Sequence, residues 1–229
     1  ILSHRNCAPY IASRLWNFFA YEPDESLDGD LLESLGDLLR ENNWELRPLL
    51  RTMFTSRAFY SERAIGTQIK SPIQLVVGTV RQLGIEMPAS RVVVGQLSQM
   101  GQVPLSPPNV KGWPGGRLWI NTSTLFVRYN TGVFLAGGEI PDVGRIRVNK
   151  RVIVPDKPAP PTGFKPVDLA ELESPEQMVD YWVKRLVQRP VETEKLATLA
   201  ESMDGKTHDP VAIRRMIQLI VSMPDYQLC

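Results

Sequence analysis

The sequence predicts an all-α protein, an irregular multi-helix bundle carrying a Gly/Pro/Trp-rich loop, a Pro-rich linker and a small C-terminal three-helix unit. Three observations predict it. Apolar residues recur at spacings of three and four through most of the first 136 residues, the period of a helix that turns one face to a core. Capping side chains precede these stripes, twice as a Ser-Pro pair. Proline and glycine break the rhythm at 101–116 and again from 137 onward.

The elements follow in order. Ala8, Ile11, Ala12, Leu15, Trp16 and Phe19 form the first stripe. Leu31, Leu32, Leu35, Leu38 and Leu39 form the second, behind Asp28 as the expected N-cap. Leu46, Leu49, Leu50, Met53 and Phe54 define a shorter helix, with Pro48 tolerated in its first turn. Ser71-Pro72-Ile73-Gln74 reads as a capping box opening a helix that buries Ile73, Val76, Val77, Val80 and Leu83. A helix over 89–100 is favoured over a strand despite the β-branched Val92-Val93-Val94. Helix resumes behind Asn121-Thr122-Ser123-Thr124 with the stripe Leu125, Phe126, Tyr129, Val133 and Ala136, and stops at Gly137-Gly138.

Composition then shifts. Residues 1–136 read as one helical domain with its Trp-Gly loop at 104–121, residues 137–174 as a linker, and residues 175–229 as a C-terminal helical unit. Val154 to Pro161 is stiff and polyproline-like. Just before it Ile146, Val148, Val152 and Val154 alternate with polar residues, as in a short strand or hairpin. Ser174-Pro175-Glu176-Gln177 opens the closing unit, with helices expected near 176–188, 192–203 and 210–222.

The chain has 229 residues, 43% of them hydrophobic, enough for a sizeable core. Lys+Arg is 26 and Asp+Glu is 25, a net charge of +1, which argues against a nucleic-acid-coating surface or a polybasic membrane binder. No apolar run is long enough to span a bilayer. The two histidines, His4 and His208, and two cysteines, Cys7 and Cys229, supply no zinc-type pairs, and His4-Arg5-Asn6-Cys7 is a weak metal signal. Cys7 and Cys229 are left either free or, in an oxidising compartment, bonded to each other. No cofactor is implied. Because it begins with Ile1 and no signal segment precedes the globular pattern, the chain is expected to be a processed product or an excised piece.

Chemistry concentrates in Pro107 to Asn121. Gly115 and Gly116 support a tight turn between Trp113 and Trp119, with Asn109, Lys111, Arg117 and Asn121 interleaved and Arg128 and Asn130 on the following helix. Two readings stand. The tryptophans pin the loop to a core, or they stack on a sugar or peptide ligand while Lys111, Arg117 and Arg128 pair with acidic or hydroxyl groups and Asn109, Asn121 and Asn130 fix the loop. Catalytic constellations are poor. The loop lacks P-loop spacing, no serine stands in a Gly-x-Ser-x-Gly turn, and the carboxylates Glu22, Asp24, Glu25, Asp28 and Asp30 are explained by solvation and the helix dipole.

Three segments carry a resemblance: Ala8 to Phe19 with Leu15-Trp16 and Phe18-Phe19; Leu49 to Tyr60 followed by Lys70-Ser71-Pro72 and Val77-Gly78-Thr79; and Met100-Gly101-Gln102 leading to Gly112-Trp113-Pro114-Gly115-Gly116, Trp119, Arg128 and Asn130. Together they resemble the C-terminal half of the bacterial domain-of-unknown-function family 1800, over residues 1–136 and the terminal helices. The resemblance implies that half of the usual domain is missing N-terminally. It further implies a periplasmic or extracellular protein of planctomycete type, and a protein partner such as a sulfatase-like family 1501 protein or the missing half itself. It brings no established activity. The expected function is a non-catalytic binding or assembly module that contacts a protein or glycan through the loop around Trp113 and Trp119. The alternatives are a hydrolase fragment completed by the missing half and a structural piece of a cell-surface complex.

Overall fold

Ala8, Ala12 and Trp16 lie along one line of the first helix and are all fully enclosed, as their spacing requires. The computed structural model describes residues 1–113, 115–137, 146–148, 151–153 and 172–229. The chain divides into two compact units, residues 1–68 and 69–229.

The first unit contains α1 (Cys7–Phe19), α2 (Glu25–Glu41) and α3 (Leu46–Thr55). α1 packs on α2, and α2 on α3, around Ala8, Ala12, Trp16, Leu35, Leu39, Leu49 and Met53. The α1–α2 crossing is close because Gly36 faces Pro9. A Cβ at Gly36 would stand 2.8 Å from the Pro9 backbone nitrogen. Pro48 falls within the first turn of α3, where its missing N–H costs nothing.

One expectation is corrected here. The N-cap of α2 is Asp24, whose carboxylate accepts from the Ser26 N–H at 2.8 Å, and Asp28 lies one turn inside the helix. Both residues are capable caps. Starting at Asp24 lets the Asp28 carboxylate turn inward, where it is only 3% exposed and accepts from Arg63, Tyr21 and the Asp24 N–H.

The second unit contains α4 (Pro72–Leu83), α5 (Ser90–Gln99), α6 (Thr122–Leu135), α7 (Pro175–Leu186), α8 (Thr193–Glu201) and α9 (Pro210–Ser222). Among the described residues it also has 3-10 turns at Gly116–Trp119 and Pro224–Gln227. The capping box at α4 forms as expected: the Gln74 N–H donates to Ser71 Oγ at 3.2 Å and the Ser71 N–H to Gln74 Oε1 at 2.8 Å. α6 packs against both α4 and α9, and a Cβ at Gly132 would stand 3.3 Å from the Val221 side chain.

Leu75, Val76 and Leu83 of α4, Phe134 and Leu135 of α6, Met178 and Trp182 of α7, and Met216, Ile217 and Ile220 of α9 share one core. Helices before and after 137–174 are therefore halves of a single unit. The expected division into a 1–136 domain and a separate 175–229 unit is corrected, because neither set of stripes is covered without the other. Ile146–Val148 pairs antiparallel with Arg151–Ile153, Ile146 opposite Ile153, which is the short hairpin expected from the alternation. The polyproline segment at 154–161 and most of the 137–174 linker lie outside the described residues. Cys7 and Cys229 are both free thiols. Among the described residues no helix is long and apolar enough to cross a membrane.

Candidate functional site

The loop between α5 and α6 is anchored at both ends and open in the middle. Met100 is buried, Gly101 turns at φ 87°, and the buried Gln102 reaches back so that its Oε1 accepts the Ile73 N–H at 2.9 Å, an extra cap on α4. Asn109 Oδ1 accepts from the Lys111 N–H at 2.8 Å and the Asn109 carbonyl from the Gly112 N–H at 3.0 Å, an Asx-type turn that needs Gly112 at φ 86°. Gly115 and Gly116, at φ 72° and 54°, lead into the 3-10 turn. Asn121 then caps α6 reciprocally with Thr124: Oδ1 accepts the Thr124 N–H and Thr124 Oγ1 accepts the Asn121 N–H, both at 2.9 Å. Thr124 Oγ1 also donates to the Trp119 carbonyl at 3.0 Å.

Each residue singled out in the sequence has a definite place. Lys111 and Arg117 are exposed, Trp113 and Asn130 are half-buried, and Asn109 and Asn121 hold the turns just described. Trp119 is 6% exposed, so the expectation of two outward indoles is corrected: the 3-10 turn rolls Trp119 into the unit while Leu118 beside it points out. Arg128 is corrected as well. It is 0% exposed and is bound inside, its Nε donating to Gln227 Oε1 at 2.8 Å and its Nη2 to the Lys70 carbonyl at 2.6 Å. Pro114 lies outside the described residues.

Several of the side chains that the loop shows outward are large and apolar. Leu105 and Val110 are fully exposed, and Leu118 and, on the second turn of α6, Phe126 are mostly so. Two cations accompany them, and neither Lys111 nor Arg117 forms an ion pair with another described residue. Among the described residues no group of three or more His, Cys, Asp or Glu side chains gathers in one place.

Behind the loop, a polar cluster ties the unit together. The Lys70 ammonium donates to the Tyr226 carbonyl at 2.8 Å and stands 3.9 Å from the centre of the Tyr226 ring. The Tyr226 hydroxyl, at 2.6 Å from Thr79 Oγ1, donates to Gln82 Oε1 at 3.2 Å. Burial pushes Lys70 down to about 8, Arg128 down to about 10 and Tyr226 up to about 12. The sequence names Thr79 only within the Val77-Gly78-Thr79 segment and gives none of Gln227, Thr79 and Tyr226 a site role, because isolated polar residues among apolar ones carry no periodic signal. Asp225 was likewise passed over. Burial raises its carboxyl, but bonds from Arg189 at 2.6 Å and Lys195 at 3.1 Å outweigh that and leave it below the ordinary range.

The family described as protein of unknown function (DUF1800) matches residues 1–228, and the chain belongs to it. That span includes the 137–174 segment, which the motif-level resemblance left outside. No curated protein and no solved structure matches the chain.

Proposed function

We propose that this chain is an extracytoplasmic protein-binding module that takes a partner protein on the α5–α6 loop and the first turns of α6. The observation that carries the reading is the outward set Leu105, Val110, Leu118 and Phe126, aliphatic and aromatic side chains left in water on the same loop and helix as the exposed Lys111 and Arg117, which form no ion pair among the described residues. Such a surface suits a protein face with apolar anchors and carboxylates. It suits a glycan less, because one half-buried indole makes a poor stacking platform. The extracytoplasmic setting rests on the family resemblance, as does the first partner to try, a sulfatase-like family 1501 protein.

Benzoylphenylalanine placed at position 118 in the native host, compared with the same group at the exposed Val211 on α9, tests this directly. A discrete adduct formed from 118 and absent from 211 is the expected result. The same adducts from both positions, or none from 118, would overturn the reading.

A further inference from the structure

Arg128 is a buried cation whose partners among the described residues are all neutral. Nε and Nη2 donate to an amide oxygen and a backbone carbonyl, and Nη1 is enclosed with no acceptor among the described residues. The carbonyl that Nη2 holds belongs to Lys70, whose half-buried ammonium lies close enough for the Arg128 charge to add to burial in pushing it down. Among the described residues the Lys70 ammonium also has only neutral partners, the carbonyl and ring of Tyr226. Neither residue forms an ion pair with any described carboxylate. The nearby Cys229 thiol brings no compensating charge at neutral pH, since burial pushes it up despite Lys70.

A guanidinium cannot shed its proton at ordinary pH, and an enclosed charge without a counter-ion costs several kcal/mol. An enclosed guanidinium N–H without an acceptor has the charge and donor chemistry to hold an anion. We propose that Arg128 and Lys70 hold a small inorganic anion, a chloride or a phosphate, with Arg128 Nη1 as its main donor and the Lys70 ammonium completing the charge balance. The site would knit together three pieces of the second unit: the residue before the α4 cap, the middle of α6 and the Pro224–Gln227 turn. It is independent of the partner surface on the loop, because Arg128 faces away from solvent.

Thermal unfolding of the full chain is followed at constant ionic strength while sodium gluconate is replaced by sodium chloride, and separately by sodium phosphate, with chlorine-35 NMR line widths measured in parallel. Tm is expected to rise and saturate with one of the two anions, as for a ligand that binds only the folded state. If chloride is the occupant, broadening of the chlorine-35 line is displaced by little else. If phosphate is, Tm responds to phosphate and the chloride line stays narrow. In K70M, which keeps Arg128, the midpoint of the anion effect is expected to move up roughly tenfold, the loss of about 1.4 kcal/mol of binding. R128M should lose the effect altogether; should it fail to fold, the K70M shift decides. A Tm that ignores both anions, or one that responds equally in wild type and K70M, would overturn the proposal.

Discussion

Arg63 places its two terminal nitrogens on the two carboxylate oxygens of Asp28, each at 2.9 Å, and thereby ties the segment after α3 to the inside of α2. The same carboxylate accepts from the Tyr21 hydroxyl at 2.9 Å and from the Asp24 N–H at 2.8 Å. Asp28 is enclosed whereas Arg63 keeps nearly half of its side chain in water. Removing the acid therefore strands the buried Tyr21 hydroxyl and the Asp24 N–H, whereas removing the base strands a buried charge. Both D28A and R63M should cost about 3 kcal/mol, measured by urea unfolding of the chain with a probe in residues 1–68, such as Trp16 fluorescence. A loss below about 0.5 kcal/mol in either variant would show the pair to be a surface ornament.

Two glycines in α2 should respond in opposite directions. Nothing lies within 4 Å of a Cβ added at Gly29, so G29A should stabilise by about 0.5–1 kcal/mol through helix propensity. At Gly36 the added carbon would meet the Pro9 backbone at 2.8 Å, and G36A should destabilise by about 2 kcal/mol. Chemical denaturation of the two variants side by side checks both signs.

The two loop tryptophans should separate as well. W119A removes a buried indole and should cost about 3–5 kcal/mol. W113A, at a half-buried position, should cost roughly 1–2 kcal/mol. Equal losses on calorimetric unfolding would contradict the inward turn of Trp119.

Most of the helical frame was legible because the stripes are long and the caps are strong. Ser71-Pro72, Asn121 and Ser174-Pro175 each start a helix where the pattern places it. Asp28 was misplaced because Asp24 and Asp28 are equally good caps, and its pairing with Arg63, 35 residues away, which helps turn it inward, leaves no local pattern. The same blindness applies to Arg128. An arginine two turns into the helix after a Trp-Gly loop looks like a surface ligand until Gln227, 99 residues away, is seen to receive it. Trp119 was half-legible: pinning to a core was one of its two readings, but spacing alone could not tell which indole would be drawn in. The division into units was hidden for a similar reason, since nothing in a stripe names the distant stripe that covers it.

Stability should carry a Lys70 signature in pH. Its folded value, near 8, lies below its ordinary 10.5, so between those values the unfolded chain binds the extra proton and stability rises with pH. Tyr226 opposes this above pH 10, because burial keeps its phenol protonated in the fold. The difference between wild type and K70M isolates the lysine, and it should grow in favour of wild type from about pH 8 to 10 in gluconate buffer. A difference that is flat across this window would contradict the buried placement of the ammonium.

The claim on which the functional reading rests is that side chains left in water on the α5–α6 loop are a partner's anchors. The affinity of the protein captured at position 118 for wild type and for L118S/F126S, at matched Tm, tests it most directly. A drop of at least about tenfold for the double variant is the expected result, as for truncation of central apolar anchors. Equal affinity for the two chains would contradict it.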